Sequence, residues 1–187
     1  MKQVVLSCAA ILLLAGIATA QAGSGQAPTV PGVLDRQLSN VEREFVSAAE
    51  AMPEDKFTFA PTNGEFKGVR TFAQQISHVA YTNYMIMAVI VGDKLPPETK
   101  NENGPENLKT RAEIIKYLKD SFAYAHKGMT SISQQNLVEP IKSPFGSGTT
   151  TRLGLANLTI GHCFDHYGQM VEYLRMNGII PPASRGQ

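Results

Sequence analysis

The chain has 187 residues, 43% of them hydrophobic, with 17 Lys and Arg against 16 Asp and Glu, four His and no Trp. A net charge of +1 without a basic run leaves no electrostatic footprint for nucleic acid. Cys8 and Cys163 are the only cysteines, too few for a disulfide framework.

Residues 1–20 read as a secretory signal. One lysine precedes an apolar run from Val4 to Ile17, and Ala18-Thr19-Ala20 supplies the small residues before a cut. The run is short for a membrane span, so the expectation is a periplasmic or secreted protein with no membrane contact after cleavage; an uncleaved anchor is the alternative. Cys8 opens the apolar run, whereas a lipidated cysteine would follow it. Residues 21–32 read as a polar flexible leader and residues 33–184 as one domain. Only Cys163 then remains, so the fold must be held by its core and by any metal it binds.

Leu34, Leu38, Val41, Phe45, Ala48 and Met52 recur four and three apart, the seam of a bundle helix, and Pro53 stops it. Glu54 to Val69 mixes Pro, Gly and aromatics without a period and reads as an ordered connection. Thr71 and Gln74 have the form of a capping box opening a second helix to about Val91. Its stripe Phe72, Ile76, Val79, Asn83, Met87 and Ile90 is a packing face, while Gln74, His78, Thr82, Met85 and Val89 form a mixed stripe, as a cavity wall would.

Gly92 to Lys109 is rich in Pro, Gly, Asn and charge, and its length suits a crossover along a bundle. Thr110 and Glu113 cap a third helix with Ile114, Leu118, Phe122, Ala125, Met129 and Ile132 on its core face. Asn136 to Thr150 reads as a loop whose Pro144 to Gly148 portion is either solvated or the mouth of a pocket. The fourth helix, Thr151 to about Asn177, ends at Gly178 with Pro181 and Pro182 beyond. No strand alternation places a sheet, so the expected class is all-α, a four-helix bundle with a long crossover between helices 2 and 3.

His162 and His166 stand one turn apart on the fourth helix, where one ion can meet both rings. Leu155, Leu158, Thr159, Gln169, Tyr173 and Met176 share their face. Leu153, Ile160, Phe164, Tyr167 and Val171 make a second apolar face, which central packing or a homodimer would cover. If His78 faces the pair across the bundle, three imidazoles offer a tris-histidine site with an open position, the arrangement of catalytic zinc; otherwise His78 is an ordinary partly buried histidine. Asp165 and Gln169 are the weak catalytic candidates: a base or imidazole partner and a water-orienting amide, against a solvated acid and a backbone-satisfied amide. Tyr81 and Tyr173 read as core or interface before pocket, Cys163 as packing, and His126 as a surface residue.

The wording AAEAMPEDKFTFAP, then RTFAQQISHVAYTNY, then HCFDHYGQMVEYLRMNGIIPPAS resembles the DinB/YfiT-like superfamily over about Val33 to Ser184. The resemblance implies a bundle holding a divalent metal through His78, His162 and His166, with zinc expected first and nickel or iron as alternatives. Relatives with assigned activities are similar to thiol-dependent transferases and isomerases that act on small molecules. An exported relative would seldom meet a cytosolic thiol, so metal-activated water, hence hydrolysis, is an equal expectation. A non-catalytic metal- or ligand-binding bundle is the alternative, and the expected partner in each enzyme reading is a small molecule.

Overall fold

The computed structural model describes residues 28–96 and 100–186; the expected signal segment lies outside the described residues. Four long helices account for the architecture: α1 (Val30–Ala51), α2 (Phe72–Val91), α3 (Arg111–Ser131) and α4 (Arg152–Met176). Among the described residues, no helix is long and apolar enough to cross a membrane.

Local chemistry sets the helix ends. Both expected capping boxes form: Thr71 accepts from the Gln74 amide while Gln74 accepts from Thr71, and Thr110 and Glu113 do the same. Thr29 caps α1 by accepting from Gly32 N at 3.2 Å, and Pro31 sits in the first turn, where its missing N–H costs nothing. The helix therefore starts inside the stretch expected as leader. Thr151 caps α4, and Gly178, at φ +73°, follows its C-cap Asn177.

Side-chain pairings fix the helix directions. Asn83 meets Ser121 at 3.2 Å and, one turn on, Met87 packs against Gly128, so positions advance together and α2 and α3 run parallel. Glu50 meets Lys119 while Asp35 meets His126, which makes α1 and α3 antiparallel. Gln75 meets Gln169 while Arg152 reaches the Ile90 carbonyl, which makes α2 and α4 antiparallel. Around the bundle the neighbours are α1, α3, α2 and α4. Parallel neighbours cannot be joined by a short turn, so the segment from Gly92 to Thr110 returns along the bundle as the expected crossover.

One core joins all four helices, with Phe45 of α1 edge-on to Phe122 of α3 at 6.2 Å between ring centroids. Gly128 lets α3 close on α2, because a Cβ there would strike the Met87 side chain. At the crossover, Gly104 has φ +86° and its absent Cβ would lie 2.5 Å from the Ser77 Cβ, so backbone conformation and space both demand glycine.

The Asn136–Thr150 segment differs from the expected loop. Pro140–Lys142 (β1) and Thr149–Thr151 (β2) pair antiparallel, with Ile141 opposite Thr150. Three residues per strand are too few to show alternation, and the hairpin is held by its ladder and by docking at the start of α4. The second apolar face of α4 is also only partly covered: Ile160 is buried, whereas Phe164 is 42% exposed.

Candidate metal centre

His78 lies two turns into α2, and His162 and His166 lie mid-way along α4, which runs antiparallel beside it. That alignment converges the rings: one nitrogen of each lies within 4.8 Å of the others. His162 Nε2 and His78 Nε2 are 3.2 Å apart, and the His162 and His166 ring centroids are 4.4 Å apart. Two nitrogens at about 2.0–2.1 Å from one tetrahedral ion stand about 3.3–3.4 Å from each other. The observed spacing fits one cation between the rings.

The outer nitrogens determine what the inner ones offer. His78 Nδ1 is 2.7 Å from the Glu102 carbonyl oxygen, which can only accept, so the ring proton sits on Nδ1 and Nε2 faces the cluster with a lone pair. His166 Nδ1 meets Gln75 Oε1, with the same result. His162 Nδ1 is buried with no partner among the described residues.

The surroundings disfavour protonation. Burial, then the neighbouring His166 and His78, push His162 down to about 3. Burial, then His78 and the nearby Arg70 guanidinium, push His166 down to about 4. His78 is also lowered, chiefly by burial, with the Glu102 carbonyl acting against it. Neutral imidazoles are what a divalent metal requires of its ligands. The donor set therefore fits such a metal by geometry, tautomer and charge.

A cavity of about 580 Å³ opens on His78 and His162. Tyr81, Thr82 and Met85 of α2, Leu158 of α4, and Pro144 and Phe145 of the hairpin line it, with Glu102 of the crossover at its edge. Pro144 and Phe145 thus form the mouth, the second of the two readings the loop allowed. Tyr81 lines the cavity as well. Tyr173 does not: it is a core residue whose hydroxyl donates to the Arg70 carbonyl at 3.0 Å.

A family model of the DinB superfamily matches residues 37–170. The chain belongs to the DinB superfamily. A solved structure of a conserved protein from Enterococcus faecalis superposes on this DinB-superfamily chain with a TM-score of 0.61 over 80% of this chain and 98% of that one. Its 16% identity carries the fold alone. No curated protein matches the sequence.

The other candidates fall elsewhere in this DinB-superfamily bundle. Asp165 is exposed and Gln169 half-buried, and neither lines the cavity; the Gln169 amide donates to Asp165 at 3.4 Å. Cys163 is fully buried, donates weakly to Asn83 Oδ1 at 3.7 Å, and its thiol is pushed up to about 12 by burial, which suits packing and not nucleophilic attack.

His126 corrects the surface reading. It is half-buried between α1 and α3, with Nδ1 2.6 Å from Asp35 and Nε2 2.9 Å from Glu42. Burial opposes its charge, but the two carboxylates outweigh burial and raise its pKa.

Three participants were missed in the sequence. Gln75 lay on neither stripe of α2, the Glu102 carbonyl belongs to a backbone no motif marks, and Arg70 precedes the helix. A buried glutamine one turn before a histidine on the same helix was the available signal for Gln75.

Proposed function

We propose that this bundle binds a divalent metal through His78, His162 and His166 and uses it to activate water or an exogenous thiol against a small molecule seated in the adjoining cavity. The observation that carries the reading is the convergence of three neutral imidazole nitrogens within 4.8 Å at the end of an apolar-walled cavity. Zinc is the first expectation, since a tris-histidine set with an open position is its catalytic arrangement, and nickel or iron fits the same donors. When bound, such a metal lowers the pKa of a coordinated water or thiol and polarises an electrophile.

The protein's own groups do the rest. The Glu102 carbonyl and Gln75 hold two ligand rings in one tautomer. Tyr81, Met85, Leu158 and Phe145 offer apolar surface to a substrate and keep its reacting end near the rings. Glu102, ion-paired to Arg70 at 3.4 Å, is the one carboxylate on that wall among the described residues.

That ion pair favours a second reading, in which the metal anchors a ligand and no turnover occurs, because the pair engages the one wall carboxylate among the described residues. The N-terminal signal reading extends the proposal to a periplasmic or secreted protein, which cell fractionation would test. The deciding experiment is metal analysis of the purified protein beside a His162→Ala/His166→Ala double variant, then ester, amide and thiol-transfer assays with and without chelator. Metal in the parent alone, with chelator-sensitive turnover, supports the enzyme. Metal without turnover supports the anchor, and no metal in the parent sinks both.

A further inference from the structure

Behind His166, away from the cavity, side chains of α2 and α4 form a line. His166 Nδ1 meets Gln75 Oε1, Gln75 Nε2 donates to Gln169 Oε1 at 2.9 Å, and Gln169 Nε2 donates to Asp165 Oδ2 at 3.4 Å. The outer end dictates the direction of the whole line. The Gln169 amide presents its nitrogen to the Asp165 carboxylate oxygen and its oxygen to the Gln75 nitrogen, the one orientation in which both contacts are hydrogen bonds. A primary amide donates at one end and accepts at the other, so Gln75 in turn must offer its oxygen to the ring. That oxygen can take only a proton on Nδ1.

We infer that Gln75, Gln169 and Asp165 are positioning residues for His166, fixing its proton on Nδ1 and its Nε2 lone pair toward His78 and His162. The three rings are held in three different ways. His78 leans on a main-chain carbonyl, which a change of the Glu102 side chain leaves in place. His162 has no acceptor at its outer nitrogen among the described residues. His166 alone is held through side chains, so its orientation is set by residue choice. Gln75 is 2% exposed, and burying a long amide there without both partners would be costly.

The plain structural role for Gln75 is a satisfied amide tying α2 to α4. That role predicts a stability loss on substitution and no change in where the imidazole proton sits. The positioning role predicts a tautomer shift. Its consequence for metal affinity rests on the reading proposed above, whereas the tautomer does not.

The test uses the purified protein labelled with ¹⁵N-histidine, metal-free and above pH 7.5, with imidazole nitrogen shifts assigning each tautomer and zinc titration giving affinity. Expected are an Nδ1–H His166 in the parent, a shift of that proton toward Nε2 in Gln75→Leu, and zinc affinity weaker by about 10–100-fold. Gln75→Glu, whose carboxylate still accepts from Nδ1–H, restores both. Should Gln75→Leu fail to fold, Gln169→Leu decides: it leaves Gln75 free to turn, and the expected result is a partial tautomer shift with a smaller affinity loss. An Nε2–H His166 in the parent, or unchanged tautomer and zinc affinity in the folded variant, overturns the inference. A parent that shows the Nδ1–H tautomer yet takes up no zinc supports the positioning chain and removes the metal reading.

Discussion

His126 and His162 are both half-buried imidazoles at helix contacts of the same bundle, and the fold drives them in opposite directions. Around His162, burial, two more imidazoles and a more distant guanidinium outweigh the Asp165 carboxylate that favours a proton, and the pKa falls to about 3. Around His126 the neighbours are the carboxylates of Asp35 and Glu42, one on each ring nitrogen, so the charged form is held despite burial. Burial alone would have lowered both. What the pair teaches is that the partner decides which charge state is favoured: neutral rings form a candidate ligand set, while a ring held between two carboxylates ties α1 to α3.

The sharpest way to break the comparison is to remove two of the neutral rings. In the His162→Ala/His166→Ala variant, zinc affinity should fall by about a thousandfold or more, since one imidazole cannot replace three. In the parent, zinc at about a hundredfold over Kd should raise unfolding free energy by about 2.7 kcal/mol, and the variant should show no such rise. Equal metal-dependent stabilisation of both proteins would refute the cluster as the binding site.

A backbone change comes next in size. Gly104→Ala places a side chain at φ +86° and against Ser77, so a destabilisation of about 1–3 kcal/mol is expected in urea melts. Zinc binding should weaken as well, because Gly104 seats the turn whose Glu102 carbonyl orients His78. Unaltered stability would mean that the crossover does not depend on this close approach.

The opposite signs of the two histidine environments give a pH test of smaller size. The folded pKa of His126 lies above its unfolded value near 6.5, so its contribution is full below about pH 6 and is lost as pH climbs through the folded pKa. His126→Gln should therefore lower Tm most at mildly acidic pH, with the gap to the parent narrowing as pH rises through the folded pKa. The cluster runs the other way. Its folded pKa values are depressed, so the metal-free protein loses stability as pH falls below about 6.5 toward 3–4. A His126→Gln deficit that grew with pH would reverse the assignment. Least of all should change at Cys163: the native protein at pH 8 should resist thiol-modifying reagents over hours and react fully only when unfolded, as free-thiol titration would show.

Much of the bundle was legible because it is written locally. Two Thr-x-x-Gln/Glu boxes marked helix starts, Gly178 with two prolines beyond marked an end, and the 92–109 segment was too long and too polar for a turn. The histidine pair was legible for the same reason, since four residues on a helix is a fixed distance. The α1 start at Val30 was missed because its cap lies in a Pro- and Gly-rich stretch that otherwise resembles a linker. The hairpin was missed because three-residue strands carry no period, and His126 because its partners are 91 and 84 residues away.

By itself the sequence determined the helices, their caps and the two rings one turn apart, because these depend on interactions within about four residues. Only the tertiary structure decided that α2 runs antiparallel to α4 at the register bringing His78 onto that pair, that Glu102 and Gln75 sit behind the ligands, and which histidine has its charged form favoured. Those outcomes depend on contacts between segments far apart in the chain, and local propensity holds no record of which distant face a side chain will meet.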